Sequence, residues 1–110
     1  KQIGEDIVGE ANGDRFGSSL SLSEDGKTIA VGADANNGNG DDSGHVRVYQ
    51  LNDSGSSWMQ RGEDIDGAAA CDSSGWSVSL SADGKTVAIG SSWNDDNGDD
   101  SGHVRVFVVE

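Results

Sequence analysis

A tandem repeat constrains what this chain can fold into more than any other feature. The ten residues from Asn39 to Val48 recur unchanged as Asn97 to Val106, an offset of 58 residues. At that offset, without a gap, 30 of the 52 aligned positions are identical, and many others exchange one aliphatic or aromatic residue for another. A period of this size is typical of tandem structural units. The sequence therefore predicts one domain of two units, with repeat 1 over about 1–58 and repeat 2 over about 59–110.

Each unit carries the pattern of short antiparallel strands. Serines alternate with Leu20 and Leu22, which is the period of a strand, and an Asp-Gly turn at Asp25-Gly26 precedes a β-branched segment. A long loop rich in Asn, Gly and Asp leads into a further β-branched segment. No segment shows a helical period. The chain is predicted to be all-β, with a four-stranded antiparallel meander in each copy and strands in the first copy over 18–23, 28–32, 45–51 and 57–61.

Four-stranded meanders in tandem are typical of a β-propeller, in which each meander forms a blade. Small Ser and Ala residues lie between the aliphatic ones, which allows neighbouring blades to approach closely. A β-sandwich would not need a gapless copy, and a parallel β-helix would show its period several times in this length. We therefore expect two four-stranded antiparallel blades per chain.

Two blades do not close a ring, because propellers contain four to eight. We expect the ring to be completed by oligomerisation, with two, three or four copies of the chain forming a cyclic homo-oligomer. The chain begins inside a fourth strand and ends after a third, Val104 to Val109. The N-terminal strand is therefore expected to complete the C-terminal blade of a neighbouring subunit.

The charge balance limits the partners of the chain. Seven Lys and Arg residues against 20 Asp and Glu give a net charge of −13, so phosphate backbones and anionic membrane surfaces would be repelled. No apolar run reaches membrane-spanning length, and no signal peptide is recognised. We expect no nucleic acid and no membrane insertion. The chain also lacks an initiator Met, so an excised or engineered propeller fragment without its own activity is one alternative.

The acidic loops are candidate cation sites. Oxygens of Asn and Asp are hard ligands of the kind that Ca²⁺ accepts, and glycines allow several of them to face one point. The alternative is a solvated turn whose side chains bond their own backbone. The candidate ligands are Asn37, Asn39, Asp41, Asp42, Asp95, Asn97, Asp99 and Asp100.

Catalysis is not expected from this sequence. His45 and His103 each follow Ser-Gly and lie near aspartates, but nothing indicates an oxyanion hole for a Ser-His-Asp relay. No phosphate-binding loop, nucleophile elbow or zinc pattern is present. The duplication alone explains why the histidines recur.

Trp93 gives a second functional hypothesis. It has no tryptophan mate, since Ala35 occupies its position in the first copy. An exposed Trp93 would form a stacking platform for a sugar, as in a lectin-like carbohydrate-binding propeller, or would cap a blade edge. Carbohydrate or a protein ligand is therefore an alternative partner.

Phe16-Gly17 before the first strand and Gly32-Ala33 at the end of the second resemble the FG-GAP repeat. This repeat is the blade of integrin α-subunit-type propellers. The resemblance implies an extracellular or cell-surface location and a calcium site of pattern Asp-x-Asp/Asn-x-Asp/Asn-Gly-x-x-Asp in the loop. In this alignment Ala35 stands at the first ligand position and Ser43 at the last. The second copy departs further, with Ser74-Gly75 in place of Phe-Gly.

Overall fold

The protein forms two antiparallel β-sheets in a computed structural model that describes residues 1–95 and 97–110. No helix in the described residues is long and apolar enough to cross a membrane. The strands are β1 (Phe16–Leu22), β2 (Thr28–Ala33), β3 (His45–Leu51), β4 (Trp58–Gln60), β5 (Ile65–Asp66), β6 (Ser77–Leu80), β7 (Thr86–Ser91) and β8 (His103–Val108). The all-β prediction is confirmed.

The first sheet has the order β1-β2-β3-β4, and β5 also pairs with β3. β4 lies opposite Tyr49–Leu51, whereas β5 lies opposite His45 and Val46. β4 lies within the predicted fourth strand, 57–61, and after an interruption β5 continues the pairing along β3. Gly62, within the interruption, has a φ of +76°, which a residue with a Cβ rarely adopts.

The turn between the first two strands of each sheet is held by the same hydrogen bonds. The Asp25 carboxylate accepts from the Lys27 backbone N–H at 2.9 Å and from the Ser23 hydroxyl at 2.8 Å. Ser23 Oγ in turn accepts from the Thr28 N–H at 3.0 Å. These bonds lower the pKa of Asp25, with the Lys27 N–H as the largest cause. Asp83 makes the equivalent contacts in the second copy.

The second sheet has three strands in the order β6-β7-β8. Its registers repeat those of the first sheet: Ser79 lies opposite Ala88, as Ser21 lies opposite Ala30. In the described part of the chain no strand pairs with the other edge of β8. The expectation of four strands thus holds for the first unit, and the second unit has three strands in residues 67–95 and 97–110.

The hydrophobic core lies between the two sheets. It joins side chains of both units in one cluster, Ala30, Val46, Val48, Leu80, Val87, Ile89 and Val109. Hydrogen bonds also cross the junction, from Ser19 Oγ to Gly75 O at 2.6 Å and from Leu80 N to Ser21 Oγ at 2.9 Å. The two units therefore stack face to face.

Candidate functional site

Each unit has two different faces, which we name by their side chains. The front face carries Ala30, Val46 and Val48 in the first unit and Ala88, Val104 and Val106 in the second. The back face carries Leu22, Ile29 and Val31 in the first unit and Leu80, Val87 and Ile89 in the second. In the core, the front face of the first unit packs on the back face of the second.

The junction leaves the second front face and part of the first back face exposed. Val46 and Val48 of the first front face are 0% and 2% exposed, whereas Val104 and Val106 of the second front face are 69% and 65% exposed. On the back faces, Leu80 is 8% exposed and its mate Leu22 is 54% exposed. Val104 and Val106 are therefore open on the second front face, whereas the first back face is open around Leu22 but covered at Val31, which is 5% exposed.

Arg47 lies opposite Val31 on the back face of the first unit and joins three segments there. Its guanidinium donates to the two oxygens of Asp64 at 2.8 and 3.2 Å, and it also binds Glu10. Because the hydrogen bond from Arg47 favours the charged carboxylate, it lowers the pKa of Asp64, and the bond to Asp64 raises the pKa of Arg47. The sequence analysis did not single out this cluster.

The first β2–β3 loop is closed by its own polar groups. Asn37 Oδ1 accepts from the Asp42 backbone N–H at 2.8 Å, and the Asn39 side-chain amide donates to Gly67 O at 2.9 Å. Asp42 has a φ of +51°, a conformation that Asp tolerates better than most residues. Asn37 and Asn39 thus act here as loop-ordering groups.

The loop between β7 and β8 is the counterpart of the β2–β3 loop and is closed by an equivalent hydrogen bond. Asp95 Oδ1 accepts from the Asp100 N–H at 2.6 Å, the counterpart of the bond from Asp42 to Asn37. Asp100 has a φ of +54°. Asn97 and Asp99 are exposed in the same loop.

The eight predicted calcium ligands are all exposed, four in each loop. Within residues 1–95 and 97–110 the structure contains no group of three or more Asp, Glu, His or Cys side chains arranged to hold a metal. The family's pattern is matched only in part, because Ala35 has no ligand atom and Ser43 Oγ accepts from the Asn39 N–H at 3.1 Å. The calcium site stays a prediction.

Two buried polar pairs support the loops and were missed by the sequence analysis. Asn36 donates to Asp14 at 2.8 Å, and Asn94 donates to Asp72 at 2.8 Å. All four side chains are buried. The signal was available in the repeat, since both partners recur at the offset of 58. The sequence analysis missed the pairs because no strand pattern or metal-binding pattern surrounds these residues.

The predicted histidines are placed by packing. His45 is 1% exposed, and its Nδ1 lies 3.8 Å from Asp64 and 4.0 Å from Asp66. Its nearest carboxylates therefore belong to the segment that follows β4, and Asp41 and Asp42 of the preceding loop are exposed. This position fits a role in holding that segment.

Trp93 pairs with Trp76 at the open end of the second unit. Their ring centroids are 6.5 Å apart with planes at 81°, and each side chain is about half exposed. Beside them is an open pocket of about 390 Å³ lined mostly by small polar residues, Ser77, Gly90, Ser91, Ser92, Ser101 and Gly102. The sequence analysis singled out Trp93 alone, because Trp93 and not Trp76 lies in the long loop.

Comparison with known proteins agrees with this geometry. The model of the FG-GAP repeat matches twice, at residues 9–49 and 65–107. Among curated proteins no sequence matches the chain. FG-GAP repeats are typical of propeller-type binding and structural domains in extracellular or cell-surface proteins. Since the two matched segments cover most of its length, the chain belongs to the FG-GAP repeat family.

Proposed function

We propose that this chain is a non-enzymatic propeller scaffold that assembles with copies of itself, front face to back face, into a closed ring. The observation that carries the proposal is a pair of open apolar surfaces, the second front face and the part of the first back face around Leu20 and Leu22. Val104 and Val106 are exposed, although their mates Val46 and Val48 are almost fully buried in the junction between units. The back face of the first unit in a second copy would cover them. This contact would repeat the one within a single chain, where the front face of the first unit packs on the back face of the second.

The contact is heterologous, since a front face meets a back face. Such contacts form rings when the rotation closes. Two, three or four copies would give four, six or eight blades, the range in which propellers close. An apolar area of this kind left open on a soluble domain is typical of an interaction surface.

The test substitutes one exposed valine at a time. Val106→Gln places an amide in the proposed contact, whereas Val108→Gln makes the same change at a position whose mate, Gln50, is exposed in the first unit. Light scattering should give a multiple of 11.3 kDa for the wild type and for Val108→Gln, and a smaller mass for Val106→Gln. A monomeric wild type at micromolar concentration would contradict the proposal.

We propose calcium as a stabiliser of the loops, bound by the aspartates whose carboxylates the loops leave available. In the described residues the carboxylates of Asp41, Asp42, Asp99 and Asp100 accept no hydrogen bond, and the chain carries a net charge of −13. A divalent cation would relieve their mutual repulsion. Calcium should raise the melting temperature of metal-free protein and Asp41→Asn/Asp42→Asn should reduce that rise. An unchanged melting temperature would refute calcium binding.

A carbohydrate is the second candidate ligand, and the Trp76–Trp93 pair favours it. Exposed indoles beside a pocket lined by serine hydroxyls combine a stacking surface with hydrogen-bonding groups. A glycan array should then show binding that is lost in Trp93→Ala. Equal signals from both proteins would exclude Trp93 as the platform.

A further inference from the structure

The edge of β8 that faces away from β7 has no partner strand in the described residues, whereas the equivalent edge of β3 is paired. β3 pairs on that side with β4 and β5, through Gln50 opposite Met59 and Val46 opposite Ile65. In the described residues β8 pairs only with β7. An unpaired edge presents backbone N–H and C=O groups to any strand of matching register.

The N-terminal segment, residues 1–8, is the repeat counterpart of residues 59–66, which contain the last two residues of β4 and all of β5. Residues 1–8 form no strand, but they already share two local features with that segment. Gln2 Nε2 donates to Asp6 at 2.9 Å, as Gln60 Nε2 donates to Asp64 at 2.6 Å. Gly4 has a φ of +72°, close to the +76° of Gly62.

The same segment lies against the first unit as its counterpart lies against the second. Ile7 and Tyr49 line one pocket, and their mates Ile65 and Phe107 line another. The Trp58 indole also donates to Ile3 O at 3.0 Å. The N-terminal segment is thus held on the first unit of its own chain. The strand it would pair with, the equivalent of β3 in a preceding unit, must come from another unit.

Arg105 marks where that pairing would occur. Its mate Arg47 binds Asp64 through two hydrogen bonds. Arg105 donates instead to the backbone O of Asp66 at 3.3 Å and lies 4.9 Å from the Phe107 ring centroid. Across the described residues no carboxylate forms an ion pair with it. The carboxylate equivalent to Asp64 is that of Asp6.

We infer that the N-terminal segment of a second copy adds to the open edge of β8 as its fourth strand, with Lys1 opposite Val108, Ile7 opposite Val104, and Asp6 bound to Arg105. The register follows from the pairs of β3 with β4 and β5 through the offset of 58. The inference rests on the self-assembly proposed above and specifies how one copy recognises the next. The chain has only seven Lys and Arg residues, so few other ion pairs compete with that of Asp6 and Arg105. This pair therefore favours one orientation of the two copies.

A charge exchange tests the ion pair. Arg105→Asp and Asp6→Arg should each weaken self-association roughly tenfold, because each places like charges together. The double variant should recover most of the loss. Lys85→Asp makes the same charge change in an exposed turn and should leave association unchanged. Loss in both single variants without recovery in the double variant would overturn the pairing of Asp6 with Arg105.

A disulfide tests the register without relying on charge. The single cysteine, Cys71, is exposed, so the background is Cys71→Ser. Lys1→Cys/Val108→Cys should give disulfide-linked multimers under mild oxidation, and Lys1→Cys/Val106→Cys, two residues out of register, should not. The positive control is Gln50→Cys/Met59→Cys, the equivalent pair within one chain.

Light scattering on the same samples separates the two proposals. A monomeric wild type overturns self-assembly and the strand addition with it. A multimer that shows neither in-register disulfides nor recovery in the charge exchange overturns the strand addition alone. In-register disulfides in a multimer support both.

Discussion

Asp64 forms a two-bonded ion pair with Arg47 of the first unit. Its carboxylate accepts from Arg47, and this bond lowers its pKa below the ordinary 3.8. A carboxylate with a lowered pKa in the folded state binds fewer protons there than in the unfolded chain, so it stabilises the fold above about pH 5 and loses this contribution as the pH falls through the folded pKa.

The substitution Asp64→Asn should therefore change the pH dependence of stability. At pH 7 it should lower the free energy of unfolding by about 1 kcal/mol, a modest value because the pair is partly solvated. The difference from wild type should shrink as the pH falls below 3.8 and the wild-type carboxylate takes up a proton. Urea unfolding across this range is the measurement, with the exposed Asp53→Asn as control. A pH-independent difference would contradict the ion-pair explanation.

Asn36 should be more important to stability than any exposed asparagine of the loops. It is 2% exposed, donates to Asp14 and Glu10, and accepts from the Gly38 N–H. Asn36→Ala should lower the free energy of unfolding by about 2 kcal/mol, since buried partners lose their hydrogen bonds.

The matched control for this substitution is Asn12→Ala. Asn12 is exposed, and its mate in the second copy is already an alanine, Ala70. Denaturant unfolding should show no measurable loss for the control. Equal losses in both variants would mean that the buried hydrogen bonds of Asn36 contribute nothing specific.

At the scale of elements, the strands were predictable because alternation is a local property. β3 has the predicted bounds, and β1 begins two residues before the predicted strand. The interruption between β4 and β5 was not predicted, because it depends on how residues 61–64 pass Arg47 and His45. The polar pair of Asn36 and Asp14 was missed for the same reason, since its partners are distant in sequence.

A comparison of Gly44 with Gly102 distinguishes the effect of backbone conformation from the effect of steric crowding. They are repeat mates with φ of +79° and +77°. A Cβ at Gly44 would lie 2.1 Å from Ser74 O, whereas one at Gly102 would come no closer than 3.3 Å to Ser92 O. The difference arises because Gly44 lies against Ser74 of the second unit, whereas the nearest atoms to Gly102 belong to its own unit.

Gly44→Ala should consequently destabilise the chain far more than Gly102→Ala. Both substitutions strain the backbone by about 1 kcal/mol, and Gly44→Ala should cost about 1–3 kcal/mol more because the Ser74 backbone must move. Melting curves of the two variants, recorded at a protein concentration low enough to keep each monomeric, make the comparison. Equal melting temperatures would show that the close approach of Gly44 to Ser74 is dispensable.

For the whole molecule, self-assembly predicts that stability depends on concentration. Binding of copies to the folded state alone raises its apparent stability by mass action. The melting temperature of the wild type should therefore rise with protein concentration, and that of Val106→Gln should stay constant. A wild-type melting temperature that does not change over a hundredfold range would argue against assembly.

The sequence predicted the architecture of the molecule better than its site. The tandem match and the face patterns identify the units, because every position of a repeat carries the same information twice. Loop chemistry was less predictable, since an Asn or Asp that closes its own turn, such as Asn37, has the same sequence pattern as one that holds a cation.

The hydrogen bonds that cross the junction also predict the order in which parts of the chain fold. Hydrogen bonds within each turn join residues two to five positions apart, as from Lys27 N to Asp25 and from Thr28 N to Ser23. The bonds from Ser19 to Gly75 and from Leu80 to Ser21 join residues 56 and 59 positions apart. Because closing long loops is slower than closing short ones, we expect each hairpin to form early in folding and the junction to form last.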